Sequence, residues 1–184
     1  MNIWIILLIV AVVAIIFYVI SVYNNLINLK NKVKDQSSQI DVELKRRFDL
    51  IPNLVETVKG YAKHEKETLN DVINARNSYV SADNLSGKLK ADGELTNAVS
   101  KLFALSESYP DLKANENFNS LQRELSDIEQ KIVYARQFYN DAVLKLNNKI
   151  EMFPSNIIAS MFNFKQEDFF EATEAEKENV KVKF

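Results

Sequence analysis

Cysteine is absent from this 184-residue chain, and only three glycines, three prolines and one histidine occur. Without Cys there is no disulfide, no thiolate chemistry and no Cys-ligated metal. All-β domains spend Gly and Pro on turns, so their scarcity points to helices. The single histidine, His64, begins His-Glu-Lys-Glu-Thr and lacks the second His of a zinc-peptidase helix. A metal site needs three or more ligands, so a solvated helix residue is the plainer reading of His64. No GxxxxGK[ST] or GxGxxG loop is present to cradle phosphates. The serines have no suitable His with which to form a triad. Carboxylates such as Asp41/Glu43 and Glu65/Glu67 stand two apart, on different helical faces, and cannot share a proton. Charge of one sign is also lacking: 23 Lys and Arg against 25 Asp and Glu give a net −2. A general nucleic-acid binder would need a basic excess. No catalytic residues, cofactor, metal or small-molecule substrate is therefore expected, and no nucleic-acid partner.

Against these absences stands one long apolar run. Residues 3–22 read IWIILLIVAVVAIIFYVISV, with Ser21 the only polar residue besides the aromatic tips of Trp4 and Tyr18. Twenty helical residues span about 30 Å, the thickness of a bilayer's hydrocarbon core. Trp4 and Tyr23 fall near the two interfaces. A buried core helix is the plainer alternative, but the run has no polar face and is long enough to span. A cleaved signal peptide would have a basic start, a shorter run and a small-x-small site. Residues 1–23 are thus read as a retained transmembrane anchor, with the bilayer as its partner. Lys30, Lys32 and Lys34 follow the span, and acidic residues count little in orientation. The expected topology is N-terminus outside and the remainder cytoplasmic, in the cell membrane.

Beyond Tyr23 an apolar stripe steps by threes and fours through Leu26, Leu29, Val33, Ser37, Ile40, Leu44, Phe48, Ile51, Val55, Val58 and Ala62, and more weakly through Leu69, Val72 and Arg76. Pro52 lies inside it without an interruption of phase, which predicts one long kinked helix rather than a hairpin. Residues 78–93 hold two of the three glycines and read as a loop. A helix is expected over 94–106, broken at Tyr109-Pro110. The clearest pattern is the heptad from Phe118 through Leu125, Ile132 and Tyr139 to Lys149, a helix that Asn115 or Asn117 would cap. A short helix over 155–162 would close one end. The expected fold is all-α: a transmembrane helix, then an antiparallel up-and-down long-helix bundle over 24–164. The charged segment 165–184 is expected to be mobile.

Lys45-Arg46-Arg47 reads most simply as a solvated face. A lipid-binding patch is disfavoured, since the run lies about 30 Å beyond the membrane if helical. A third reading folds one Arg onto Asp49 or an acidic residue of the long last helix. Asn140 and Asn147 share a face beside Arg136 and Tyr139. There they would either fix register at a helix seam or stand exposed.

The segment SQIDVELKRRFDLIPNLVETVKGYAKHE, residues 38–65, strongly resembles the signature of the LemA family of bacterial membrane proteins. Further matches are YNNLINLKNKV at 23–33, ESYPDLKANENFNSLQRELSDIE at 107–129 and ARQFYNDAVLKLNNKIEMFPSNIIASMFNF at 135–164. Phe48 departs from the pattern, where the family often has His. The resemblance implies one membrane anchor followed by a long-helix bundle, with no established enzymatic activity and genes often placed beside membrane peptidases. It offers Arg46, Arg47, Asp49, Pro52, Asn53, Arg136, Tyr139 and Asn140 as candidates for structure or partner contact. The leading functional expectation is a non-enzymatic scaffold or adaptor for a protein partner, another membrane protein included. The alternatives are a lipid-sensing or lipid-shaping protein acting through the aromatic stretch 152–170, and an enzyme that recruits a cofactor.

Overall fold

The computed structural model describes residues 2–170. They form six helices and no strand: α1 Ile3–Lys59, α2 Lys66–Val80, α3 Leu85–Ser106, α4 Pro110–Lys113, α5 Glu116–Glu151 and α6 Ser155–Met161. The chain divides into two compact units. One contains the residues up to Ser37 and Gln137–Phe169; the other is built on Ser38–Arg136. Helices α1 and α5 contribute to both.

In the second unit, α1 passes through Pro52 as one helix, with the proline exposed. The helix ends at Lys59, and the chain reverses over residues 60–65 into α2. The stripe from Leu26 to Arg76 is therefore two helices, α1 and a returning α2, and the reversal starts at Gly60. Phe48 stacks on Tyr79, which fixes the antiparallel register of this pair. Asn115 Nδ2 donates to Tyr61 Oη at 2.9 Å, and Tyr109 Oη donates to Glu65 Oε1 at 2.9 Å, so the reversal is tied to the segment leading into α5. Along α3, Lys88 meets Asp41 and Arg47 meets Asp92, so α3 runs parallel to α1. Arg47 also meets Glu129, with Tyr61 opposite Asn115, so α5 runs antiparallel to α1. The result is an up-and-down four-helix arrangement whose core includes Leu44, Ile51, Leu54, Leu95, Leu102, Leu125 and Ile128.

The expected loop over 78–93 shrinks to residues 81–84, and the helix expected from Glu94 starts at Leu85. Asn84 caps it, its side chain accepting from Gly87 N at 2.8 Å. A Cβ on Gly87 would lie 3.2 Å from Ala82 Cβ, so that glycine serves the tight entry to the helix. Gly93 lies in the helix interior, where a Cβ would meet nothing within 4 Å. Two glycines thus imitated a loop signal inside a helix. At α5 the expected cap is present: Asn115 Oδ1 accepts from Phe118 N at 2.9 Å.

In the first unit, every residue from Ile3 to Tyr18 is exposed, and the run is long and apolar enough to cross a membrane. It fits a membrane anchor. Burial begins at Val22 and continues at Leu26 and Val33, with Tyr139, Val143 and Leu146 buried on α5. Helix α6 ends in a Schellman turn. Phe164 N donates to Ala159 O at 2.9 Å and Asn163 N to Ser160 O at 3.1 Å, with Asn163 at φ 54°. This turn brings Phe164 back onto Tyr23, 5.9 Å between ring centroids.

Within the segment expected to be mobile, Gln166, Glu167 and Asp168 are bonded to α5. Asn147 grips Glu167 twice: Nδ2 donates to its carbonyl at 2.8 Å and Oδ1 accepts from its N–H at 3.0 Å. Tyr139 Oη donates to Asp168 O at 3.2 Å. These bonds pair backbone groups of a segment outside any helix, a function that a charge-rich composition does not reveal. The rest of the expected tail, 171–184, lies outside the described residues.

Candidate functional site

The eight residues taken from the motif are divided between the two units: Arg46, Arg47, Asp49, Pro52, Asn53 and Arg136 belong to the second, Tyr139 and Asn140 to the first. Arg47 turns inward, and its side chain is only 2% exposed. Arg46 is exposed and pairs with Glu43 at 3.4 Å; Asp49 is exposed and pairs with Lys45. Asn53 is exposed, and its carbonyl accepts from Thr57 Oγ1 at 2.8 Å. Pro52 faces solvent, while Arg136 and Asn140 are half-buried. Tyr139 is buried, and burial, with Glu167 and Asp168 nearby, raises its phenol above the ordinary range.

The inward motif residue makes the most consequential contact. Arg47 Nη1 donates to Asp92 Oδ1 at 2.6 Å, and Nη2 stands 3.6 Å from Glu129 Oε2. Asp92 is itself buried, and Glu129 is half-exposed. One guanidinium thereby ties α1 to both α3 and α5. Burial pushes the Asp92 carboxyl above its ordinary value; the Arg47 charge and hydrogen bond offset part of this, and Arg136 adds a smaller lowering influence. Arg47 Nε lies buried with no hydrogen-bond partner among the described residues. Removing two charges from water is costly, so such a pair is better suited to specifying register than to adding net stability. Lys45 and Arg46 stand exposed, as the simplest reading of the run has it, while Arg47 follows the third reading and meets Glu129 on the long helix α5. Asp49, the other candidate, is held by Lys45 instead.

Asp92 was missed because it fell inside the presumed loop. The signal was available: stepping back from Leu102 through Val99 and Leu95 lands on Asp92 and then Lys88, an acid and a base on an apolar face. Asn147 was placed correctly on a shared face with Asn140, but the acceptor and donor it grips are backbone groups, which no side-chain pattern announces. Phe48, at the position where a His was expected, is buried and stacks on Tyr79 with ring centroids 3.9 Å apart. That position therefore packs rather than titrates. Lys88 Nζ lies 5.9 Å over the same Tyr79 ring and donates to Asp41 Oδ1 at 2.9 Å.

What remains outside forms a stripe. Val42, Arg46, Asp49, Asn53 and Glu56 step by four, three, four and three along α1, and all are exposed. In the first unit a cleft of about 400 Å³ is lined by Lys30, Asn31, Lys34, Tyr139 and Glu167, among others. Among the described residues, no group of three or more His, Asp or Glu converges to hold a metal. The Arg47 pairs hold helices in place, and the stripe on α1 presents surface.

A model of the LemA family matches residues 36–184. The chain is similar to protein LemA of Metamycoplasma hominis, 27% identical over 168 residues that cover 90% of this chain and 77% of that protein. It is also similar to magnetosome protein MamQ 2 of Paramagnetospirillum magneticum, 26% identical over 187 residues covering 88% and 69%. Magnetosome protein MamQ of Magnetospirillum gryphiswaldense is 24% identical over 186 residues, covering 87% and 68%. With the family's model spanning the motif-bearing part of α1, from residue 36, and the whole of α5, this chain belongs to the LemA family.

Proposed function

We propose that the chain is a non-enzymatic, membrane-anchored scaffold or adaptor, whose cytoplasmic helical bundle presents a surface to a protein partner, another membrane protein included. The observation that carries this reading is the division of the motif between inside and outside. Arg47 is committed to holding three helices in register, while Val42, Arg46, Asp49 and Asn53 lie on one exposed stripe of α1. A rigid helix displaying an apolar side chain among charges of both signs suits recognition of a complementary protein face. None of the relatives' names states a reaction. The cytoplasmic placement rests on Lys30, Lys32 and Lys34, which follow the span.

The test is photo-crosslinking in cells, with benzoyl-phenylalanine at position 53 of the full chain. The expected result is a discrete heavier adduct that is lost in Arg46→Glu. Absence of any protein adduct at positions 42 and 53 would contradict the reading.

A second reading, lipid sensing or shaping through residues 152–170, is favoured by the exposure of Met152, Phe153, Ile157 and Met161. Its test is binding of the chain to vesicles of differing curvature. Indifference to curvature would contradict it.

A further inference from the structure

Residues 152–164, MFPSNIIASMFNF, contain no charged side chain. Within the first unit, Ser155, Ile158 and Ala159 form the buried side of α6. Phe153, Ile157 and Met161, each four residues from the next, form an opposite stripe with exposures of 81%, 59% and 62%. Met152 and Phe162 extend this outward surface. A monomer in water rarely displays such an uninterrupted apolar surface without an occupant.

The same unit identifies that occupant. Tyr23 immediately follows the apolar run 3–22, and its ring lies 4.7 Å from Phe162 and 5.9 Å from Phe164. Aromatic rings at the end of a span sit at headgroup level. The contacts therefore hold α6 at the depth where the span leaves the hydrocarbon. Polar Asn156 and Ser160 flank the apolar stripe, and the next charge, Lys165, comes only after the chain has turned at Asn163. An uncharged short helix, apolar on its outward face and fixed beside the end of a span, matches an element lying in the interfacial plane.

We propose that α6 and the Met152–Pro154 turn are a second membrane contact, with Phe153, Ile157 and Met161 inserted into the leaflet from which the anchor emerges. Its occupant is the acyl-chain boundary of the bilayer. The proposal gives the lipid reading its surface, but it concerns where α6 sits and not whether the protein senses or shapes membranes. The curvature assay can fail while this placement stands, and the reverse.

The experiment uses the full chain in phosphatidylcholine vesicles brominated on their acyl chains. The native tryptophan is removed by Trp4→Phe, and single tryptophans are introduced as Ile157→Trp, Met161→Trp, Ile20→Trp in the span and Val133→Trp on the bundle. All four positions are exposed, so the substitutions leave the core intact. The expected result is a loss of fluorescence at positions 157 and 161 as large as that at 20, with blue-shifted emission and no loss at 133. Unquenched, red-shifted emission at 157 and 161 would overturn the proposal. Blue-shifted emission without bromine quenching would also overturn it, and would assign the stripe to a second copy of the chain.

Discussion

Replacing Arg47 with methionine keeps the length and apolar stem of the side chain but removes the guanidinium. The variant leaves the Asp92 carboxylate buried without its 2.6 Å partner and releases Glu129. Removing one member of a buried ion pair costs roughly 3–5 kcal/mol. Uptake of a proton by Asp92 limits the loss, because burial already raises its pKa. For a chain of this size, about 1 kcal/mol corresponds to about 2–4 °C in melting temperature. Arg47→Met should therefore melt roughly 6–20 °C below the wild type. Replacing both charges, Arg47→Met with Asp92→Leu, should recover most of this loss, since an apolar pair escapes the desolvation cost. The buried and unpartnered Nε of Arg47 argues in the same direction. Arg47→Lys should lie between, keeping the charge but not the planar fork that reaches two acids. The assay is thermal unfolding of the full-length protein in nanodiscs at neutral pH, followed by far-UV circular dichroism. A drop under about 2 °C for Arg47→Met, or a double variant no more stable than the single, would refute the view that this pair ties the helices.

Three further outcomes are expected. Leu125→Ala and Ile132→Ala, both 2% exposed on the inner seam of α5, should each destabilise by about 2–4 kcal/mol; losses under half of that in the same melts would place α5 differently. Gly93→Ala should stabilise by about 0.5–1 kcal/mol, since the position is helical and its Cβ enters open space; a lower melting temperature would contradict the helix there. The Asp92 carboxyl, raised above its ordinary 3.8, binds its proton more tightly folded than unfolded. Stability relative to Asp92→Asn should therefore be greatest below that ordinary value and decline as pH rises through the folded pKa, and melts across acidic to neutral pH that show the opposite slope would contradict the burial argument.

Much of the architecture was legible because helical periodicity reports which face is buried. Leu125, Ile132 and Tyr139 are buried where the heptad puts them, and α1 runs through Pro52 because the apolar phase is unbroken there. Two kinds of information were not legible. Gly87 and Gly93 lower helix propensity, but one completes a cap and the other is simply tolerated, and packing outweighs both. Periodicity also runs on across a reversal when both helices face one core, which hid the turn at 60–65. At the candidate site the motif named Arg47 but not its partner, since ion pairing between helices joins residues 45 positions apart. The outward stripe of α6 was visible as an aromatic-rich stretch, whereas its position beside Tyr23 required the structure.

The proposed topology is a single membrane crossing by residues 3–22, with the bundle on the cytoplasmic side. The Cys-free chain allows a direct measurement. Asn2→Cys and Asp83→Cys, each at an exposed position, are made separately in the full-length protein, and intact cells are treated with a membrane-impermeant maleimide. The account predicts labelling of the Asn2 variant in intact cells and of the Asp83 variant only after lysis. Labelling of Asp83→Cys in intact cells with Asn2→Cys protected would place the bundle outside, and equal access to both would contradict the crossing itself.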